Sequence, residues 1–407
     1  MDTTASAGAA EETAGPAHVA TVSFLASRAV PSGGFWVALA GGVALARVAQ
    51  RRGVRQGYGA SAAAMLETVA LMGPTRFGVP FTQALSAPLL GTLEGRGWRP
   101  AAQVLVCTAL RVLTNAVGVA FFIWVIAGGL DAYAGTYDAL AGRVGLSLSE
   151  TGSLILTAAG LLGWGVFASV VQVGVYRRGL AAWAPVPGEG TPAPEPVDEP
   201  HRGRFDPRAV TLAAAGAFGL LLASREWALL GAVAAWLVVF WALARPDGRA
   251  VPTGLALAGI LAFGAFIFSL GGGLGIQEAL RRATRAALLV LVATWLRAAA
   301  GAEGLREVFR RLLGRLRRLP AAPEAALTLG AIGSEGRLLT AGQSLVDSLR
   351  AVPLKAVPVM DAVLGWVARE SARFRPGPPA PVPILRARAI DLLPLAAVCA
   401  PGAVLLA

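Results

Sequence analysis

Few side chains in this sequence are suited to chemistry, and most of those that are carry positive charge. Arg111 and Asn115 stand one helical turn apart in the apolar stretch LRVLTNAVG, and Gln172 interrupts a second apolar run. Arginine inside such a run is costly in a bilayer and normally faces protein or water. The three residues read as an intramembrane polar site. The alternative has Arg111 reaching to the near interface and Asn115 bonding a neighbouring helix. Cys107, Cys399, His18 and His201 lie too far apart for metal-ligand spacing or a disulfide framework, and both histidines are expected in solvated loops. The apolar runs hold no histidine and almost no carboxylate, which argues against an intramembrane enzyme, so no catalytic residue is assigned. No Gly-x-x-x-x-Gly-Lys-Ser/Thr loop is present, so the chain is not expected to bind nucleotide itself, and no cofactor or metal is expected.

The elements that must position these residues are helices. Of 407 residues, 55% are hydrophobic and only 15% charged, and the mean hydropathy is +0.62. A soluble domain carries roughly 25% charge. Continuous Ala-, Leu- and Gly-rich runs occur at 35–46, 60–72, 77–93, 101–130, 154–176, 209–223, 227–244, 253–270, 283–299 and 390–407. They lack the alternation of strands. The expectation is an all-α, polytopic helical membrane protein of about ten spans, with long amphipathic cytoplasmic helices before the last one. The net charge of +12 comes almost wholly from arginine at the ends of these runs. That is the positive-inside pattern, and nucleic acid is not an expected partner. The pattern puts the N-terminus and C-terminus outside and the basic segments inside, with Arg281, Arg282 and Arg285 as exceptions. Four regions follow. Residues 1–30 form a small-residue tail expected to be disordered, without a cleavable signal peptide. Residues 31–183 carry about five spans. Residues 184–204 are a Pro- and Glu-rich linker. Residues 205–407 form a second membrane half.

That second half holds about 90 residues of mostly amphipathic helix between two spans, more than a loop needs. In 303–319, Leu305, Phe309, Leu312, Leu313 and Leu316 share one face, and Arg306, Arg310, Arg311, Arg315, Arg317 and Arg318 fill much of the rest, up to Pro320. Such a helix can lie on anionic lipid, dock a partner or pack its stripe on the protein. Two further helical stretches, 323–350 and 358–374, are separated by Pro353 and Pro358, and the second places Met360, Val363, Leu364 and Val367 on one face. Together they suggest a docking platform.

Residues 205–407 resemble the T component, the transmembrane coupling subunit, of energy-coupling factor transporters, which are ABC-type importers of vitamins and metal ions. Phe205-Asp206-Pro207-Arg208 is similar to that family's Leu-Asp-Pro-Arg opening before a span, where Asp caps a helix and Pro fits its first turn. GIQEALRRATRAALLVLVATWLR, with Arg285, resembles an amphipathic lead into a span, and Gly304–Pro320 resembles the first coupling helix. ESARFRPG resembles the end of the second coupling helix, where an Ala-Arg-Gly triplet inserts its arginine into an ATPase groove, and LRARAID resembles the lead into the last span.

The resemblance implies no enzymatic activity in this chain. It implies cytosolic ABC-type ATPases as partners, which would bind the ATP, together with a separate substrate-binding membrane component, and a bacterial cytoplasmic membrane location. The coupling arginine would be Arg373, with Phe374 where the family has Gly, or Arg369 in a shifted frame. The first coupling arginine would be Arg337 or Arg350. The first half is either a fused substrate-binding component, with 131–148 as a lid near Tyr133 and Tyr137, or an additional membrane domain.

Overall fold

Long runs of Ala, Leu and Val with few β-breakers or alternations satisfy their backbone hydrogen bonds locally, and every regular element among the described residues is helical. The computed structural model describes residues 3–29, 34–74, 79–127, 129–183, 205–223, 226–244, 251–316, 318–332, 335–353, 356–376 and 388–406. The linker at 184–204 and Arg317 lie outside them.

Among the described residues, four helices are long and apolar enough to cross a membrane: α5 (Pro100–Phe121, continued by a π-helix over Phe122–Ala127), α7 (Glu150–Ala181), α10 (Val251–Gly271) and α11 (Ile276–Arg315). Three of them turn large apolar side chains outward, among them Leu113, Phe121, Phe167, Ile260 and Phe263. Such broad exposed apolar faces mark a lipid-facing surface. Helices α8 (Pro207–Ala223) and α9 (Trp227–Leu243) are apolar but shorter, as is the last helix, α15 (Leu393–Leu406). At the start of α8, Pro207 occupies the first helical position and the Asp206 carboxylate accepts from the Arg208 backbone N–H at 2.8 Å, the cap that the sequence suggested.

The first three expected spans have another use. They form α2 (Gly34–Arg52), α3 (Val54–Met72) and α4 (Val79–Gly95), preceded by α1 (Thr3–Ala29). The expected disordered tail is therefore a helix, and Ala17, His18, Val19, Ala20, Thr21, Val22 and Phe24 are buried. In α2, Leu39, Val43 and Leu45 are fully enclosed. Apolar character here serves burial in protein rather than in lipid. The ion pair of Arg52 with Glu12 also puts the start of α1 at the basic end of the molecule, not at the opposite end as charge counting implied.

Two cores result. The first joins α1–α5 and α7 to the late helices α12 (Ala322–Ala331), α13 (Glu335–Arg350) and α14 (Ala356–Arg373). The second joins α8, α9, α11 and α15. Packing thus does not divide the chain at the linker. Residues from the first quarter cover the inner faces of α13 and α14, through Leu338, Leu345, Val363 and Val367. At one end of the molecule lie the basic groups Arg47, Arg51, Arg52 and Arg375, with Trp183 and Phe374. At the other, Gly272 abuts Thr136 of α6 (Leu130–Gly142), and Phe122 packs on Phe268.

The seam between α2 and α4 brings backbone against backbone. A Cβ added to Gly91 would collide with the backbone carbonyl of Ala46, which no rotamer change relieves. Gly163 of α7 has open space around it. Gly91→Ala should destabilise the protein by about 1–3 kcal/mol, seen as a lowered thermal midpoint in detergent. Gly163→Ala should leave that midpoint unchanged or slightly raised.

Candidate functional site

Two places gather the polar residues that the sequence singled out. The first is inside the helical bundle. Arg111 of α5 is 4% exposed, and its Nη2 donates to Oε1 of Gln172 on α7 at 2.6 Å. The same oxygen accepts from the Cys107 thiol at 3.1 Å, and the Gln172 amide nitrogen donates to Ser86 of α4 at 2.7 Å. Asn115, one turn along α5 from Arg111, lines the same cavity of about 830 Å³. Arg111, Asn115 and Gln172 are thus brought together, with Arg111 facing protein and cavity. Ser86 and the Gln83–Tyr176 hydrogen bond of 3.1 Å beside it carried no sequence signal, because α4 meets α7 only through tertiary packing.

The second place is the basic end. Its arginines divide into those consumed internally and those left on the surface. Arg306 forms a two-point ion pair with Glu67 of α3, through Nε at 2.7 Å and through Nη2. Glu67 is fully buried, so the pair is structural. Arg310 and Arg311 both pair with Glu307. Three arginines of this basic amphipathic helix are therefore engaged by two carboxylates, Glu67 of α3 and Glu307 of the helix itself. Beyond it, Arg315 and Arg318 are exposed, beside the exposed Leu312, Leu316 and Leu319.

Helices α13 and α14 form an antiparallel hairpin, fixed by the Trp366 indole N–H donating to Ser344 Oγ at 2.7 Å. The buried side of α13 faces α1. Its open side carries Leu339, Gln343, Val346 and Arg350 at helical spacing. On α14, Arg369 and Arg373 are exposed. Arg350 and Arg373 sit in the last turns of their helices and so at opposite ends of the hairpin, about 20 Å apart at 1.5 Å rise from 337 to 350. Arg337 is different. It donates to the Arg375 carbonyl at 2.9 Å and lies 6.0 Å from the centre of the Phe374 ring, so it braces the hairpin end.

Phe374, which stands where the resembled family has glycine, stacks on His18 of α1 with ring centres 4.3 Å apart. His18 is not a solvated loop residue: it is 1% exposed. Burial, reinforced by the nearby Arg337 charge, pushes its pKa down from 6.5 to about 3. The outlying arginines near the opposite end are also accounted for. Arg281 and Arg282 pair with Glu278, and Arg285 donates to the carbonyls of Leu221, Leu222 and Val125.

No family model, curated protein or solved structure matches the chain.

The buried His18 makes stability pH-dependent. Folded protein keeps the imidazole neutral down to about pH 3, whereas the unfolded chain protonates below about 6.5. The unfolded state binds the extra proton, so stability falls as pH drops through this window and the loss levels off below it. Between pH 7.5 and pH 5 this group should cost about 2 kcal/mol. His18→Phe should therefore shrink the drop in thermal midpoint between those two pH values.

Proposed function

We propose that the chain is the transmembrane coupling subunit of an energy-coupling factor importer, with its basic end in the bacterial cytosol. The observation that carries this reading is the α13–α14 hairpin. Its inner face is anchored on α1 and α2, and its outer face is bare, with Arg350 and Arg373 exposed at opposite ends. Two arginines so far apart cannot enter one groove. They suit two separate ATPases, each presenting carboxylates that take a guanidinium bidentately. Apolar Leu339 and Val346 between them would supply the centre of such contacts. Between the candidates for the first coupling arginine, exposure favours Arg350, whose ion pair with Asp347 is itself solvent-exposed, over Arg337, which is engaged within the hairpin. For the second, Arg373 in the last turn is favoured over Arg369, and Phe374 replaces the family's glycine because α1 provides a histidine for it to stack on.

Closure of two ATPases on ATP would pull the two ends of this hairpin and so strain its anchorage on α1 and α2. Substrate selection would rest with a membrane component that binds the vitamin or metal ion. A second reading has one observation in its favour: Leu312, Leu316 and Leu319 project beside Arg315 and Arg318, a combination suited to an anionic lipid surface.

Co-purification with the ATP-binding subunits of the same organism tests the first reading. The wild type should retain the ATPases, and the double variant Arg350→Glu, Arg373→Glu should lose them by at least about tenfold, consistent with breaking two charge-assisted contacts, at an unchanged thermal midpoint. Full retention by the double variant would refute the proposal. Absence of ATPase binding combined with binding to anionic vesicles that Arg315→Glu, Arg318→Glu abolishes would establish the second.

A further inference from the structure

Among the described arginines within the long apolar helices, Arg111 stands apart. Arg285 and Arg297 are taken up by carbonyls at the ends of other helices, and Arg306 by Glu67. Arg111 has the neutral Gln172 and the neighbouring neutral Cys107 thiol as partners, its Nε has no hydrogen bond, and no carboxylate among the described residues is paired with it. A buried guanidinium without a counter-charge is expensive, and a structure that keeps one next to open space is suited to receive an anion.

The open space is the cavity of about 830 Å³ between α5, α6 and α7, within the size range of small-molecule sites. Arg111 and Asn115 are the polar groups on one side. The other walls are mostly aromatic and aliphatic, with Phe35, Phe122 and Trp164 among them, interrupted by the hydroxyls of Thr82 and Thr157. Tyr133 and Tyr137 of α6 also line it. Their rings pack at 4.8 Å, and the Tyr133 hydroxyl is held by Thr157 of α7 at 2.7 Å, which fixes α6 over the space. The acids of α6 are turned elsewhere: Asp131 is exposed, and Asp138 accepts from the Leu148 backbone N–H at 2.8 Å. Neither opposes an anion in the cavity.

We propose that this cavity binds an organic monocarboxylate with an apolar or aromatic body, its carboxylate paired with Arg111 and assisted by Asn115, its body held against the aromatic walls under α6. One guanidinium neutralises one negative charge. A cation would be repelled, and a dianion would bring a second charge into an apolar site with nothing to neutralise it. The proposal concerns binding by this chain alone, so it stands or falls independently of the ATPase reading.

The test is equilibrium binding of 2-naphthoate to the full chain in nanodiscs, with the isosteric neutral 2-naphthamide as control and dodecanoate as the lipid-derived alternative. Wild type should bind 2-naphthoate or dodecanoate at least about tenfold more tightly than 2-naphthamide, the scale of one charge-assisted pair. Arg111→Gln should erase that preference, and Arg111→Lys should keep part of it. Which of the two acids binds better identifies the source, soluble aromatic acid or lipid-derived acid. In Tyr137→Ala, which leaves Arg111 and its Gln172 contact in place, affinity for the preferred acid should fall at least about fivefold, as expected for loss of an aromatic wall. Equal binding of acid and amide by wild type, or no binding of either acid, would overturn the proposal. So would an acid preference that survives Arg111→Gln. If Arg111→Gln does not fold, an unchanged affinity in Tyr137→Ala would overturn it as well.

Discussion

Three arginines of α11 hold the two halves of the chain against each other. Arg285 donates to Val125 in the π-helix that ends α5 as well as to the last carbonyls of α8. Arg297 donates to the Leu71 carbonyl at the end of α3 at 2.7 Å, and Arg306 clasps Glu67 two turns further along the chain. The physics is common to Arg285 and Arg297. A guanidinium removed from water must find acceptors, and the last carbonyls of a helix are acceptors that the helix itself leaves unsatisfied. Arg285 and Arg297 thereby fix helix ends of the first half, while Arg306 holds α3 through the buried Glu67 carboxylate. Gly301, with φ 71°, breaks the helix between Arg297 and Arg306 and redirects the basic segment. Only a residue without Cβ holds that conformation at little cost.

This arrangement explains what could be read from the sequence and what could not. Helicity followed from composition, and the polar trio Arg111, Asn115 and Gln172 was visible because an arginine in an apolar run needs a partner. The Asp206–Pro207 helix start was equally legible, since a cap is a local matter. The failures share a cause. Helix α1 was read as disordered because its Ala, Thr and Ser carry little hydropathy, yet small residues allow the close helix approach that buries them. The Cβ that Gly41 lacks would meet Ser23 and the Ala20 backbone. The span count rose because an apolar run looks the same whether it is enclosed by lipid or by protein, and α2 is enclosed by protein. The sequence groups Arg306 with the basic side of an amphipathic helix and does not show its pairing, because its carboxylate lies in α3, far away in sequence.

The basic end and the intramembrane cavity belong to one packed path. Helix α14 rests on α2, and α2 rests in turn on α4 and α7. At that last contact Gly42 of α2 receives the Tyr176 hydroxyl so closely that no Cβ would fit. Tyr176 donates to Gln83, and its neighbour one turn back on α7, Gln172, holds Arg111 and is itself tied to Ser86 on the same helix as Gln83. From the α13–α14 hairpin to the guanidinium the contacts pass through small residues and fully enclosed side chains. Such interfaces have little slack, because close-packed interiors shift between discrete arrangements rather than deforming smoothly. A displacement of α14 must therefore either separate it from α2 or carry α2 along. If α2 moves, it moves against Tyr176, and the polar cluster that orients Arg111 lies directly behind that ring.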